Sequence, residues 1–309
     1  MDLSVVIPIY NEAEGINELH RRLTMAVKPL VDSYELIFVN DGSQDKSFQK
    51  LKAIARVDET VKYIGFSRNF GHQIAVTAGL NHATGDAVVI IDGDLQDPPE
   101  AIADLYQKYQ EGYKVVYAKR RQRKGETFFK KFTAKLFYRI LSKITAIDIP
   151  IDTGDFRIMD KIVVEQLNQM PEPNKFLRGQ IAWIGFKQTF IEFDREERKY
   201  GETGYSVGKM FRFALDGITG FSNFPLRVAS ILGFWVSGIA FLIILYALYG
   251  YFILDKNVTG WTSMMVSVMF IGGIQLITIG IIGEYISRIQ ENVKQRPLYI
   301  VEETNLKDN

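Results

Sequence analysis

Short apolar runs at 3–9, 35–39, 63–66, 87–91 and 115–118 alternate with amphipathic stretches near 12–27, 44–54, 71–82 and 100–109. The apolar runs read as buried strands, and the stretches between them carry apolar residues at helical spacing. This alternation predicts an α/β fold with a mainly parallel sheet covered on both faces. In such sheets ligands bind beyond the carboxyl ends of the strands. Polar groups gather at those ends: Tyr10-Asn11-Glu12, Asn40-Asp41-Gly42-Ser43, Ser67-Arg68-Asn69 and Asp92-Gly93-Asp94 each follow a predicted strand.

The pattern changes in the last third of the chain. Residues 228–254 and 261–283 carry no charged side chain. A helix of about 20 apolar residues crosses a bilayer, so both stretches read as membrane spans; the other reading is two buried helices of a large core. A polar hairpin at 255–260 separates them. Arg227 precedes the first span, and Arg288, Lys294 and Arg296 follow the second. The positive-inside rule then puts both chain ends in the cytoplasm. Trp235, Tyr249, Tyr251 and Trp261 suit the two interfaces. Before the first span, 206–223 pairs Phe211, Phe213, Leu215 and Ile218 with Lys209, Arg212 and Asp216, the pattern of a helix lying on the membrane surface. The predicted organisation is a cytosolic domain over 1–205, a surface helix over 206–225, a two-helix hairpin over 226–287 and a cytosolic tail over 288–309. That describes a multi-pass protein of the cytoplasmic (inner) membrane.

Composition adds three points. The formal net charge of +1 offers no global field for nucleic acid. The absence of cysteine excludes disulfides and thiolate metal sites. The N-terminus lacks a basic region ahead of a long apolar one, so it reads as a strand and not a signal peptide. Lys119, Arg120, Arg121, Arg123, Lys124, Lys130, Lys131 and Lys135 form a basic stretch. It is either a solvated surface or an edge facing phosphate or anionic lipid.

Asp92-Gly93-Asp94 carries the clearest chemistry. Two carboxylates one small residue apart can share a hard divalent cation, which takes oxygen ligands and bridges protein carboxylates to substrate phosphates. Such a cation neutralises charge growing on a departing diphosphate. Leu95-Gln96-Asp97-Pro98-Pro99 follows directly. Together with Val5-Val6-Ile7-Pro8-Ile9-Tyr10-Asn11-Glu12 and Val39-Asn40-Asp41-Gly42-Ser43, this ordered set resembles the family 2 glycosyltransferases of GT-A (Rossmann-like) fold. Within them it is similar to the polyprenyl-phosphate branch, the dolichol-phosphate mannosyltransferases and the bactoprenol glucosyltransferases. The paired spans and the run Gly220-Phe221-Ser222-Asn223-Phe224-Pro225-Leu226-Arg227 resemble the bactoprenol type.

The resemblance implies roles residue by residue. Pro8, Tyr10, Asn11 and Glu12 would wall the nucleoside. Asp41 would contact base or ribose, unless it only forms its Asp-Gly-Ser turn. Arg68 and Asn69 would contact the donor, as would Asp92 and Gly93. Asp92, Asp94 and Gln96 would hold Mg²⁺ or Mn²⁺ and the diphosphate, with Asp94 essential for catalysis. Asp155, in Thr153-Gly154-Asp155-Phe156-Arg157, would lie near the reaction centre as base or positioning group; the alternative is a cap for the following helix. Arg198, Ser206 and Lys209, around a glycine-containing loop, would bind donor or acceptor phosphate or else be surface charges. His72 reads as the first turn of a helix, with a ligand role as the alternative.

The implied activity is transfer of one sugar, with UDP-glucose the implied donor, to a polyprenyl phosphate with inversion. A GDP-mannose donor is the near alternative. A non-catalytic carrier or flippase component is the distant one. Gln180-Ile181-Ala182-Trp183 lacks the arginine that processive synthases of the same superfamily place before the tryptophan, so a single transfer is implied. Gly233, Gly238, Gly272 and Gly273 would permit helix packing and a homo-oligomer.

Overall fold

The residues of β1 (Leu3–Ile9) divide between two apolar layers. Leu3, Val5, Ile7 and Ile9 join one buried cluster, and Val6 joins another. A strand buried on both faces needs parallel neighbours covered by helices. That is the arrangement in the computed structural model, which describes residues 1–121, 153–194, 224–254 and 260–306. β2 (Tyr34–Asn40), β3 (Val61–Phe66) and β4 (Ala87–Ile90) lie with β1 in the order β4-β1-β2-β3, all parallel. The α/β alternation read from the sequence is therefore the α/β alternation of the fold.

Helices α1 (Ile16–Val27), α2 (Ser47–Ala55) and α3 (His72–His82) connect these strands. α1 buries Ile16, Leu19, Leu23 and Val27, one stripe at helical spacing. It shares a face of the sheet with α2 and with α4 (Ile102–Gln110). The opposite face is covered by α3, α5 (Lys161–Asn168) and α6 (Leu177–Ile184).

The flanks of the sheet are mixed, which the apolar pattern did not reveal. Beyond β4 come β6 (Thr153–Asp160), β5 (Val115–Arg120) and β7 (Gln188–Phe193). β6 runs antiparallel to both β4 and β5. Asp155 thus sits on a strand and does not cap the helix that follows. The cap of α5 is Asp160, whose side chain accepts the Ile162 N–H at 3.0 Å.

The predicted tail over 288–309 is a second correction. Helix α8 (Trp261–Lys294) runs past the apolar stretch and carries an Arg288–Glu284 pair at 3.0 Å in its last turns. It stops where Gln295 turns left-handed ahead of Arg296-Pro297. The chain then returns to the eight-stranded sheet as β8 (Val301–Thr304), antiparallel to β3. Asn305 accepts the Tyr63 N–H at 2.7 Å and donates to the Val61 carbonyl at 3.0 Å. Tyr299 stacks on Phe66 at 5.0 Å, and its hydroxyl accepts from Asn81 at 3.2 Å. Tyr299→Ala should therefore lower unfolding stability by about 2 kcal/mol, the scale of a lost aromatic pair plus partial burial. Tyr299→Phe should retain most of it; thermal melting of both variants checks this.

Helices α7 (Phe224–Leu254) and α8 form a separate unit spanning 218–295. Both are long and apolar enough to cross a membrane, and large side chains such as Phe234, Trp235, Met269 and Leu276 are exposed. The predicted surface helix at 206–223 and most of the hairpin at 255–260 lie outside the described residues.

Candidate active site

The carboxyl ends of β4, β1, β2 and β3 lie side by side, so their loops form one row. At the end of β1, Asn11 adopts a left-handed conformation (φ 56) that asparagine tolerates. Its amide oxygen accepts the Gln44 N–H at 2.8 Å, and its own N–H donates to Ser43 at 3.0 Å. The Glu12 N–H donates to Ser47 at 2.9 Å. These bonds stitch the β1 loop to the β2 loop. Pro8 is buried beneath them, and Tyr10 is exposed.

Asp41, at the end of β2, is almost fully buried. Its carboxylate accepts from the Phe70 N–H at 2.7 Å, the Gly71 N–H at 3.0 Å and the Asn69 amide at 2.9 Å. It therefore pins the loop after β3. Burial pushes the Asp41 carboxyl above its ordinary pKa, against the opposing pull of the Phe70 and Gly71 amides. Arg68 is exposed and lies over the Phe70 ring at 4.0 Å.

Beyond β4 the chain alternates. Asp92, Asp94 and Gln96 are partly exposed, while Gly93, Leu95 and Asp97 are buried. The three residues are thus the more accessible members of the run. Gly93 is glycine for want of room: a Cβ there would lie 2.5 Å from Ile9 Cδ1 and 3.0 Å from the Pro8 carbonyl oxygen. Leu95 holds the turn with φ 57, an uncommon conformation for a branched residue. Asp94 accepts the Gln96 N–H at 3.1 Å.

Two carboxylates and an amide oxygen are hard donors that fit Mg²⁺ or Mn²⁺. Such a cation fills the rest of its shell from phosphate and water. Among the described residues, no group of three or more histidine or acidic side chains could hold an ion alone.

Asp155 reaches the same edge because β6 is antiparallel. Arg157 is paired with Ile90, so Asp155 lies beyond the end of β4, where Asp92 follows. Arg178, at the start of α6, donates to Asp155 Oδ1 at 2.9 Å. His72 and Gln73, at the start of α3, contact Oδ2 at 3.1 and 3.2 Å. Arg157, 1% exposed, donates to the Asp155 carbonyl at 3.1 Å and to the Gly154 carbonyl at 2.8 Å. Burial alone would raise the Asp155 carboxyl, but Arg178, His72 and Arg157 outweigh it and hold it well below the usual carboxylate range. Desolvation likewise opposes charge on His72. Asp92 first and then Asp155 overcome it and raise its pKa to about 9.

A model of glycosyl transferase family 2 matches residues 4–167. The chain belongs to that family. It is 52% identical over 301 residues to an uncharacterized glycosyltransferase of Bacillus subtilis, covering 97% of this chain and 93% of that one. It is 41% identical to a prophage bactoprenol glucosyl transferase homolog of Escherichia coli, covering 97% of this chain and 98% of that one. It is also 41% identical to a bactoprenol glucosyl transferase of Shigella phage SfII, covering 99% of each. The family 2 match spans β1 through most of α5, and so contains every site residue above except Arg178.

The structure thus brings Asp92 and Asp155 to one histidine, with Asp94 and Gln96 on the same accessible row as Asp92. Arg68 and Tyr10 stand exposed on neighbouring loops. Arg198, Ser206 and Lys209 lie outside the described residues. Sequence reasoning missed Gln73, Arg157 and Arg178 as site residues and read His72 as a helix start. Position 182 is alanine; the arginine that reaches Asp155 from this helix is Arg178. Its only sequence signal is a charge at the start of an otherwise uncharged apolar helix.

Proposed function

We propose that the protein transfers one glucose from UDP-glucose to a polyprenyl phosphate, with inversion, at the cytoplasmic face of the membrane. The accessible row Asp92, Asp94 and Gln96 beside Asp155 carries the reading. It sits in a chain related over nearly its whole length to proteins named bactoprenol glucosyl transferase. A phosphate oxygen of the lipid attacks the anomeric carbon; the new O–C bond forms as the bond to UDP breaks, and UDP leaves with the electron pair. An α-linked donor then gives a β-linked lipid phosphosugar. A divalent cation bound there supplies charge neutralisation for the departing diphosphate.

Asp92, Asp94 and Gln96 present the oxygens that would hold that cation. The β1 and β2 loops, stitched by Asn11, Ser43 and Ser47, form the wall for the nucleoside. Asp155 orients the acceptor. A lipid phosphate, with a second pKa of about 6, is already ionised at neutral pH and needs no strong base. Helices α7 and α8 hold enzyme and lipid in one plane, which raises their effective concentration. Strand β8 supports the topology. The chain after the hairpin pairs with β3, so the segments before and after the hairpin belong to one folded domain.

The test is transfer of labelled glucose from UDP-glucose into the lipid fraction by the purified full-length chain with polyprenyl phosphate. Label in the lipid, lost when the divalent cation is chelated, supports the reading. Incorporation only from GDP-mannose would replace the donor, and no incorporation from any nucleotide sugar would overturn the activity.

A further inference from the structure

We propose that His72 is a positioning residue for this transfer, bridging Asp155 and Asp92, and that Asp41 fixes where it stands. The inference rests on the transferase reading above. His72 Nε2 lies 3.1 Å from Asp155 Oδ2 and 3.5 Å from Asp92 Oδ1. These carboxylates come from different segments, one on β6 and one beyond β4. A single ring, with only two side-chain torsions, spans them.

The position of that ring is set one residue earlier. Asp41 accepts both backbone N–H groups of Phe70 and Gly71 as well as the Asn69 side chain. Gly71 has φ 105, where side chains are strained, although a Cβ there would meet nothing within 4 Å. Glycine is required by the backbone angle, and that angle starts α3 at His72. Gln73 completes the brace: it donates to Asp155 Oδ2 and accepts the Leu177 N–H at 3.2 Å, tying the start of α3 to the start of α6. The Asp155 oxygens are thereby divided, with Oδ2 held from α3 and Oδ1 from α6 by Arg178.

His72 is not a packing residue. Its side chain is 39% exposed, and both of its ionic contacts are carboxylates of the site. The chain has only two other histidines, and His20, on α1, pairs with Asp58. A rigid spacer between the acceptor-orienting carboxylate and the cation-holding one affects turnover more than donor binding. Misplacement by about 1 Å costs on the order of a hundredfold in rate.

The experiment compares His72→Ala, His72→Gln, Asp155→Asn and the double variant His72→Ala/Asp155→Asn in the full-length chain. His72→Ala should lower kcat about a hundredfold while the donor KM stays within about threefold. His72→Gln keeps a side-chain N–H donor and should recover at least about tenfold of that loss. In thermal melting, the shifts of the single variants should not add in the double, because the residues touch. Unchanged kcat in His72→Ala, a loss confined to KM, no recovery with glutamine, or additive melting shifts would each overturn the proposal. If the unmodified protein transfers no label, the transferase reading fails on its own, and the melting cycle still judges the His72–Asp155 contact.

Discussion

Asp94→Asn should lower sugar transfer about a thousandfold with almost no change in melting temperature. The side chain is partly exposed, and its described hydrogen bond is acceptance of the Gln96 N–H. An asparagine oxygen accepts that bond equally well, so the turn keeps its shape. What is lost is one negative charge on the row proposed to hold the cation and diphosphate. Neutralising a leaving group by a held cation is worth several kcal/mol, and about 4 kcal/mol is roughly a thousandfold in rate. Transfer of labelled sugar and a thermal melt, run on the same preparation, check both halves. Normal turnover in this variant would remove the cation-holding role of Asp94.

Asp155→Ala should act on stability as well as turnover. Its carboxylate is the shared counter-ion of Arg178, Arg157 and His72. Removing it leaves Arg157, a fully buried guanidinium, beside carbonyl groups and the Tyr117 ring alone among its described partners. Breaking a buried ion pair on one side costs about 3–5 kcal/mol. Denaturant unfolding should show a loss of that size, alongside loss of transfer.

The pH dependence has a definite sign. Because the folded-state pKa of Asp155 is depressed, its contribution is complete above the unfolded value near 3.9. It is lost only as pH falls through the lower folded value. The variant should therefore lose part of the acid limb of the stability profile and be destabilised uniformly from about pH 5 upward. A variant as stable as the parent would show that the arginines are satisfied without this carboxylate.

The sequence revealed different features to different depths. Strands β1 to β5 and helices α1 to α4 were legible because each buries a continuous run or stripe. Local periodicity reports that burial directly. The two long apolar helices were legible for a different reason: each run lacks charge over the length of a bilayer-spanning helix. The position of Asp92, Asp94 and Gln96 just beyond a parallel strand was legible because the strand itself is a buried apolar run. Strands β6, β7 and β8 were not. β8 is Val-Glu-Glu-Thr, exposed at every position and held by backbone pairing with β3 and by Asn305 and Tyr299. Backbone pairing leaves no hydropathic trace.

The partners of Asp155 mark the same boundary. His72, Arg157 and Arg178 come from the start of α3, from β6 and from the start of α6, and only the antiparallel insertion of β6 beside β4 brings them to one carboxylate. By itself the sequence determined the parallel core, the acidic row at its edge and the apolar hairpin, because each is encoded in residues close together in the chain. Only the tertiary structure decided which cations surround Asp155, what Asp41 holds and where the chain end goes. Those choices depend on strand direction and on contacts between residues far apart in sequence, which no local pattern records.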